Sequence, residues 1–244
     1  MSLFTSTRRV QRVRHDLRLR EVEVRRVNPV SANFISVVFG GESLADFRSD
    51  GFDDHVKFMF NDAAGQPVRR DYTPRHFDPV ARELTIEFAL HDGGAASAWA
   101  EQAAVGQSAT IGGPRGSMVV PTDYDWHLLI GDSTALPAIH RRLEELPAST
   151  RAIAVIQLAS EADRRQFASR ADLQVHWVYS PGDLVAATRS LTLPKGDGYA
   201  WAAGEASVMK TVRQVLADDH RQPGDALHAA AYWKRGQADF HERL

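Results

Sequence analysis

The chain has 244 residues, of which 43% are hydrophobic, 25% charged and 9% aromatic, the profile of a globular protein long enough for one large domain or two small ones. Its formal net charge of −2 argues against bulk attraction to nucleic acid, and the absence of cysteine removes disulfides, thiolate metal sites and cysteine nucleophiles together. No apolar run approaches the ~18 residues of a membrane helix, and arginines stand where a signal peptide needs an apolar core. A cytoplasmic monomer with neither membrane nor nucleic-acid partner is the expectation.

The first segment is basic: residues 8–26 hold eight arginines against Asp16, Glu21 and Glu23. An anion-binding arm is one reading. The other, adopted because the rest of the chain is slightly acidic, is a solvated first strand whose Leu17, Leu19, Val22 and Val24 bury one face around a bulge. Short runs of β-branched and aromatic residues then recur at 22–27, 34–39, 55–60, 84–90, 108–111 and 117–120, separated by Asn-Pro, Gly-Gly and Gly-rich turn signals. Strands at that spacing predict a small antiparallel barrel or sandwich, interrupted by a helix over 95–104. From residue 126 the rhythm changes. Apolar runs at 126–130, 151–159, 173–179, 199–203 and 227–233 alternate with helical stretches at 134–146 and 205–218. That alternation predicts βαβ units and a parallel sheet with helices on both faces. The join falls near 121–124, which divides the chain into domains 1–122 and 123–244.

Three motifs carry chemistry. In Arg70-Asp71-Tyr72-Thr73-Pro74-Arg75, strand spacing sends Arg70 and Tyr72 to one face and Thr73 to the other. Guanidinium suits a pyrophosphate, and an aromatic ring can stack on a planar one, although a salt-bridged strand end would look the same. The run from His91 through Gly93, Gly94, Ala96 and Ser97 to Trp99 opens a helix with small residues, a seat for a diphosphate or simply a plain helix start. Gly131-Asp132-Ser133-Thr134-Ala135-Leu136-Pro137 follows a strand, with Ser133 or Thr134 as helix cap and Pro137 in the first turn. It is not the GxGxxG fingerprint, yet it sits where α/β sheets bind ligands, and Gly204-Glu205 repeats the geometry after a later strand. None of the ten histidines shows metal-ligand spacing, and no metal site is expected.

Together with Gly113-Pro114-Arg115-Gly116-Ser117, Ala203-Gly204-Glu205 and Ala231-Tyr232-Trp233, these motifs resemble, in order and over nearly the whole chain, the siderophore-interacting proteins of the ferredoxin–NADP reductase superfamily. The resemblance implies a flavin-binding antiparallel β-barrel followed by a parallel-sheet α/β nucleotide-binding domain. It also implies a reductase that passes electrons from NADPH or NADH through FAD to the iron of a ferric siderophore. The FAD residues would be Arg70, Asp71, Tyr72, Thr73, Arg75, His91, Gly94, Ala96, Ser97, Trp99 and Trp233. NAD(P)H would lie near Asp132, Thr134, Ala135, Gly204 and Glu205, with Arg164, Arg165 and Lys210 as candidate partners of a 2′-phosphate. Two other readings fit the same residues: a general NAD(P)H–flavin or ferredoxin-coupled electron transferase, and a non-catalytic flavin or siderophore carrier.

A large anionic chelate calls for an open cationic pocket, and Lys57, Arg115, Lys234 and Arg235 are its candidates. His228 stands where related reductases can carry an arginine. Its protonation below about pH 6.5 would then strengthen chelate binding. Lys57, Arg115 and His228 are expected to converge over the flavin ring, with Lys234 at the rim.

Overall fold

A computed structural model of the chain describes residues 9–91 and 93–237. The first half builds a seven-stranded antiparallel sheet in the order β5-β4-β8-β2-β3-β7-β6. Its strands are β2 (Leu19–Ser31), β3 (Phe34–Gly40), β4 (Val56–Asn61), β5 (Pro67–Tyr72), β6 (His76–Asp78), β7 (Glu83–Ala89) and β8 (Ser108–Gly112). A separate ribbon pairs β1 (Gln11–Arg14) with β9 (Gly116–Val119), so the 117–120 run leaves the main sheet. The sheet curls around Val22, Val24, Phe39, Phe58, Ile86 and Phe88, and the seven-residue helix α1 (Ala95–Glu101) adds Trp99 to this core.

Strand parity corrects one expectation. Arg20, Val22 and Val24 point inward, whereas Leu19 lies on the outer face and Leu17 and Leu19 are 58% and 72% exposed. The four apolar residues therefore do not bury one face. Val22 and Val24 fill the barrel, and the two leucines line its outside.

The second half is a five-stranded parallel sheet in the order β12-β11-β10-β13-β14. It comprises β10 (Trp126–Gly131), β11 (Arg151–Gln157), β12 (Asp172–Val178), β13 (Gly198–Glu205) and β14 (Leu227–Trp233). Alternate residues divide between two cores, as expected of strands covered on both faces. Leu128, Ile130, Val155 and Ala202 meet Leu184 of α3 (Pro181–Ser190) and Met209 and Val212 of α4 (Ala206–Gln214). On the other face Leu129, Ala154, Ile156 and Trp201 meet Ile139 and Leu143 of α2 (Leu136–Glu145), together with Phe34 and Phe52 from the first half. The Phe52 and Trp201 ring centroids lie 5.3 Å apart. The two sheets therefore share an apolar joint. The strand order reverses between β10 and β13, and the crevice at that reversal is where doubly wound sheets take ligands. Helix α3 went unforeseen, since its apolar residues are few and Pro-Gly opens it. No helix among the described residues is long and apolar enough to cross a membrane.

Candidate active site

On β5 the residues Val68, Arg70 and Tyr72 share the half-buried face, as the spacing predicts, and Asp71 projects from the other. The Tyr72 ring rests on Phe88 at 4.4 Å and edge-on against Phe58 at 6.0 Å, at the open edge of the sheet. Its cross-strand neighbour on β4 is Val56, while Asp71 faces Lys57 and pairs with it at 2.7 Å. Thr73 is buried close to Tyr232, whose pKa is raised by burial and by the nearby Asp53 carboxylate, with the Thr73 hydroxyl opposing that rise. The end of β5 thus lies near the last strand of the parallel sheet.

The loop before α1 is shaped by close approach. A Cβ on Gly94 would fall 2.4 Å from the His91 ring, so only glycine lets that ring fold over the backbone. The His91 amide donates to the Ser97 hydroxyl at 3.1 Å, and the first N–H groups of α1 have no acceptor within so short a helix. Guanidinium, ring and unpaired amides are the donor set that an FAD diphosphate and isoalloxazine require, so the residues present fit that group.

At the crevice, Asp132 is buried and accepts four hydrogen bonds. Oδ1 takes Thr134 N–H (2.9 Å) and Thr134 O–H (2.6 Å), and Oδ2 takes Glu205 N–H (2.9 Å) and Trp233 Nε1–H (2.8 Å). One carboxylate thus binds the ends of β10, β13 and β14 together, and burial raises its pKa against those four donors. Gly204 makes this possible, because a Cβ there would lie 2.5 Å from Asp132 Oδ2. The expected hydroxyl cap of α2 is corrected: Ala135 occupies the cap position without a side-chain bond, and Asp132 instead holds the Thr134 amide. Glu205 caps α4, its Oε2 accepting from Ser207 N–H at 2.8 Å and Val208 N–H at 3.0 Å. Burial pushes its pKa up, but the Ser207 and Val208 donors outweigh that and hold it below the usual range. Both acids are occupied within the protein, so the crevice offers a nucleotide its backbone and shape.

Several expected site residues have other employment. Arg75 serves here as an interface strut. It donates to both Glu144 oxygens of α2 at 2.7 Å and lies 3.4 Å from Glu87 of β7. Arg165 donates to the same Glu87 at 2.5 Å and stacks on Phe34, which uses it up as a 2′-phosphate partner. The Trp99 ring packs among Phe39, Phe58, Phe60 and Phe88 in the barrel core and presents no free face to a flavin. Arg164 is exposed at the carboxyl ends of β11 and β12, where it pairs with Glu161 at 2.8 Å and donates to the Tyr179 hydroxyl at 2.5 Å, its guanidinium 5.4 Å from that ring centroid. Arg141 of α2 closes the joint by donating to Pro74 O at 2.9 Å and Ser49 O at 2.8 Å.

Lys57 and Arg115 do meet, in a groove of about 210 Å³ on the outer face of β4 and β8, with Leu17, Leu19, Met59 and Arg69. Arg69 and Arg115 make no ion pair among the described residues. His228 is not part of this groove. It lies 3.8 Å from Asp53, whose carboxylate accepts from Trp201 Nε1–H at 3.1 Å. Burial first and Arg12 second push the His228 pKa down to about 4, so the expected gain in charge below pH 6.5 is corrected: the ring stays neutral there. Lys234 sits just beyond β14 in a bridge to Gln237. Sequence reasoning passed over Arg69, Tyr179 and the two exposed leucines, since only tertiary placement distinguishes them from other surface residues.

Comparison with known proteins agrees with this geometry. Residues 124–236 match the family described as siderophore-interacting protein, and residues 23–69 and 61–118 match the siderophore-interacting FAD-binding domain. The chain is 37% identical to the NADPH-dependent ferric-chelate reductase of Escherichia coli, over 91% of this chain and 96% of that one. It is 30% identical to the ferric vibriobactin reductase ViuB of Vibrio cholerae, over 87% and 89%. Among solved structures, a siderophore utilization protein from T. fusca superposes with a TM-score of 0.89 at 32% identity, covering 95% of this chain and 98% of that one. These family matches and relatives place the chain in the siderophore-interacting protein family.

Proposed function

We propose that this protein is a flavin-dependent reductase of ferric siderophores, drawing electrons from NADPH. The observation that carries the reading is the approach of Thr73, just past β5, to Tyr232 of β14, which brings the Tyr72 edge of the barrel near the parallel sheet and its crevice between β10 and β13. Tyr72 would there help hold the flavin, and the segment around Asp132 and Gly204 the nicotinamide nucleotide. The E. coli relative's description as an NADPH-dependent ferric-chelate reductase supports the same reading. When bound, FAD would supply the redox chemistry that couples a two-electron nicotinamide donor to one-electron reduction of ferric ions.

The chain's own residues orient and select. Arg70 meets the flavin diphosphate, together with the amides of Ala96 and Ser97. Tyr72 supports one side of the ring, and Trp233, held by Asp132, borders it from β14. Arg164 meets the nucleotide 2′-phosphate while Tyr179 stacks on adenine, a pairing consistent with the elimination of Arg165. Arg69, Arg115 and Lys57 hold the anionic chelate in the groove floored by Leu17, Leu19 and Met59. Residues 1–122 form the flavin unit and 123–244 the nucleotide unit.

The test is flavin content and turnover. Wild-type protein should purify yellow and reduce a ferric siderophore with NADPH under anaerobic conditions. Arg70→Ala should lose flavin affinity about tenfold or more while keeping its melting temperature in flavin-free form, because a charge-assisted contact contributes about 1.5–3 kcal/mol. Full flavin occupancy in that variant would make Arg70 a surface charge and sink the assignment.

A further inference from the structure

Leu17 to Arg20 approaches and enters β2 with its side chains divided between two cavities. Leu17 and Leu19 line the groove of Arg115, while Arg18 and Arg20 line a second cavity of about 230 Å³. The 112–115 turn forms the other wall of both, contributing Gly112 and Arg115 to the groove and Gly113 and Pro114 to the second cavity.

The second cavity is built for negative charge. Four guanidiniums, of Arg14, Arg18, Arg20 and Arg48, line it against the carboxylates of Asp16 and Asp46. Arg18 and Arg20 both engage Asp46, so one carboxylate serves two cations. Arg48 turns aside to Asp50 at 3.1 Å, and Arg14 makes no ion pair among the described residues. Arg20 is only 6% exposed, and its Nε–H is buried without an acceptor. Four guanidiniums thus outnumber the three carboxylates beside them, Asp16, Asp46 and Asp50, and the remaining positive charge favours an anion entering the cavity. Guanidinium forks match carboxylate and phosphate oxygens pairwise. The volume lies below the ~300–1,000 Å³ of sites that enclose a whole small molecule. It suits one charged group or arm.

We propose that this cavity is a second anion-binding site, separate from the flavin and nicotinamide sites, that takes carboxylate or phosphate groups. Its shared wall with the Arg115 groove assigns it the pendant carboxylate arm of a ferric chelate whose metal core lies in that groove. Only this choice of occupant rests on the reductase reading; a free polyanion is the other source of the same chemistry.

The experiment uses FAD-loaded protein and the double variant Arg14→Gln/Arg48→Gln, which leaves Arg20 and its Asp46 pairing in place. Calorimetric titration at low salt with citrate and with inorganic pyrophosphate should show saturable binding to wild type. Binding should be at least tenfold weaker in the variant and restored in Arg14→Lys/Arg48→Lys. No binding to wild type, or equal binding to the variant, would overturn the site. Loss without rescue by lysine, accompanied by a fall in melting temperature, would make these arginines structural and overturn it equally. A kinetic arm identifies the source. The glutamine variant should raise KM about fivefold to tenfold for a ferric chelate with uncoordinated carboxylates. It should leave KM for a neutral hydroxamate chelate, and flavin reduction by NADPH, unchanged. Lost citrate binding with no change in KM would overturn the arm assignment in favour of a free polyanion. Calorimetry needs no turnover, so failure to reduce any chelate would refute the reductase reading alone.

Discussion

The crevice between β10 and β13 and the groove beside β4 treat charge in opposite ways. In the crevice, Asp132 satisfies four internal donors and Glu205 caps a helix, so the acids shape the site without facing a ligand. In the groove, Arg69 and Arg115 stand beside exposed leucines with no carboxylate partner among the described residues. The first region would recognise a ligand through a rigid backbone, the second through side-chain charge. Substitution in the crevice should therefore damage structure and function together, whereas substitution in the groove should change affinity alone.

The sharpest way to break this contrast is Asp132→Ala. It strands the Glu205 amide, the Trp233 indole N–H and the Thr134 amide, each of which costs about 1–3 kcal/mol when left unpaired in a buried site. A loss of about 3 kcal/mol or more is expected in chemical denaturation, with slowed flavin reduction by NADPH. Stability within 0.5 kcal/mol of wild type, by the same order-of-magnitude scale, would mean that the crevice is not braced in this way.

Acid titration probes the same rigid side of the molecule. His127 is fully buried with neither ring nitrogen hydrogen-bonded, and burial pushes its pKa down to about 3. Burial likewise lowers His140 to about 4 and His228 to about 4. These rings fold neutral, so the unfolded chain binds more protons once the pH drops below about 6.5. Their contribution is complete above that value and is lost as pH falls toward 4, by at most about 1.4 kcal/mol per pH unit for each histidine. His228, a third exposed, should contribute least. His127→Phe should flatten the decline in melting temperature between pH 6.5 and 4, and an unchanged slope would count against a neutral buried ring.

Two smaller effects sharpen the contrast at its charged end. Arg164→Ala should raise KM for NADPH about tenfold, equivalent to about 1.4 kcal/mol, and leave KM for NADH unchanged. Equal losses with both nucleotides would remove the 2′-phosphate role. Arg115→Ala should raise KM for an anionic ferric siderophore several-fold, roughly 0.5–1 kcal/mol, an effect that shrinks as salt rises. Melting temperature and flavin reduction should not move. A neutral chelate affected to the same degree would show that Arg115 supports the fold or the flavin.

Much of the architecture was legible because it depends on local pattern. The change from short strands with frequent turns to apolar runs alternating with helices marks the passage from antiparallel to parallel sheet near residues 121–124. Arg70 and Tyr72 share a face because strand parity dictates it. What the pattern could not reveal was whether a bulge separates Leu19 from Val22; the ladder to β8 runs regularly over residues 19–23 and the register shifts only at 24–26, so Leu19 keeps the face opposite Val22 and Val24 and lies outside. Tertiary structure also decided which charges are buried in ion pairs between the two halves. Arg75 and Arg165 look like Arg70 and Arg164 in sequence, yet Glu87 and Glu144, brought close only by the joint between the sheets, claim the first pair. His228, although a third exposed, has its pKa lowered by partial burial and by Arg12, a neighbour that only the fold brings close.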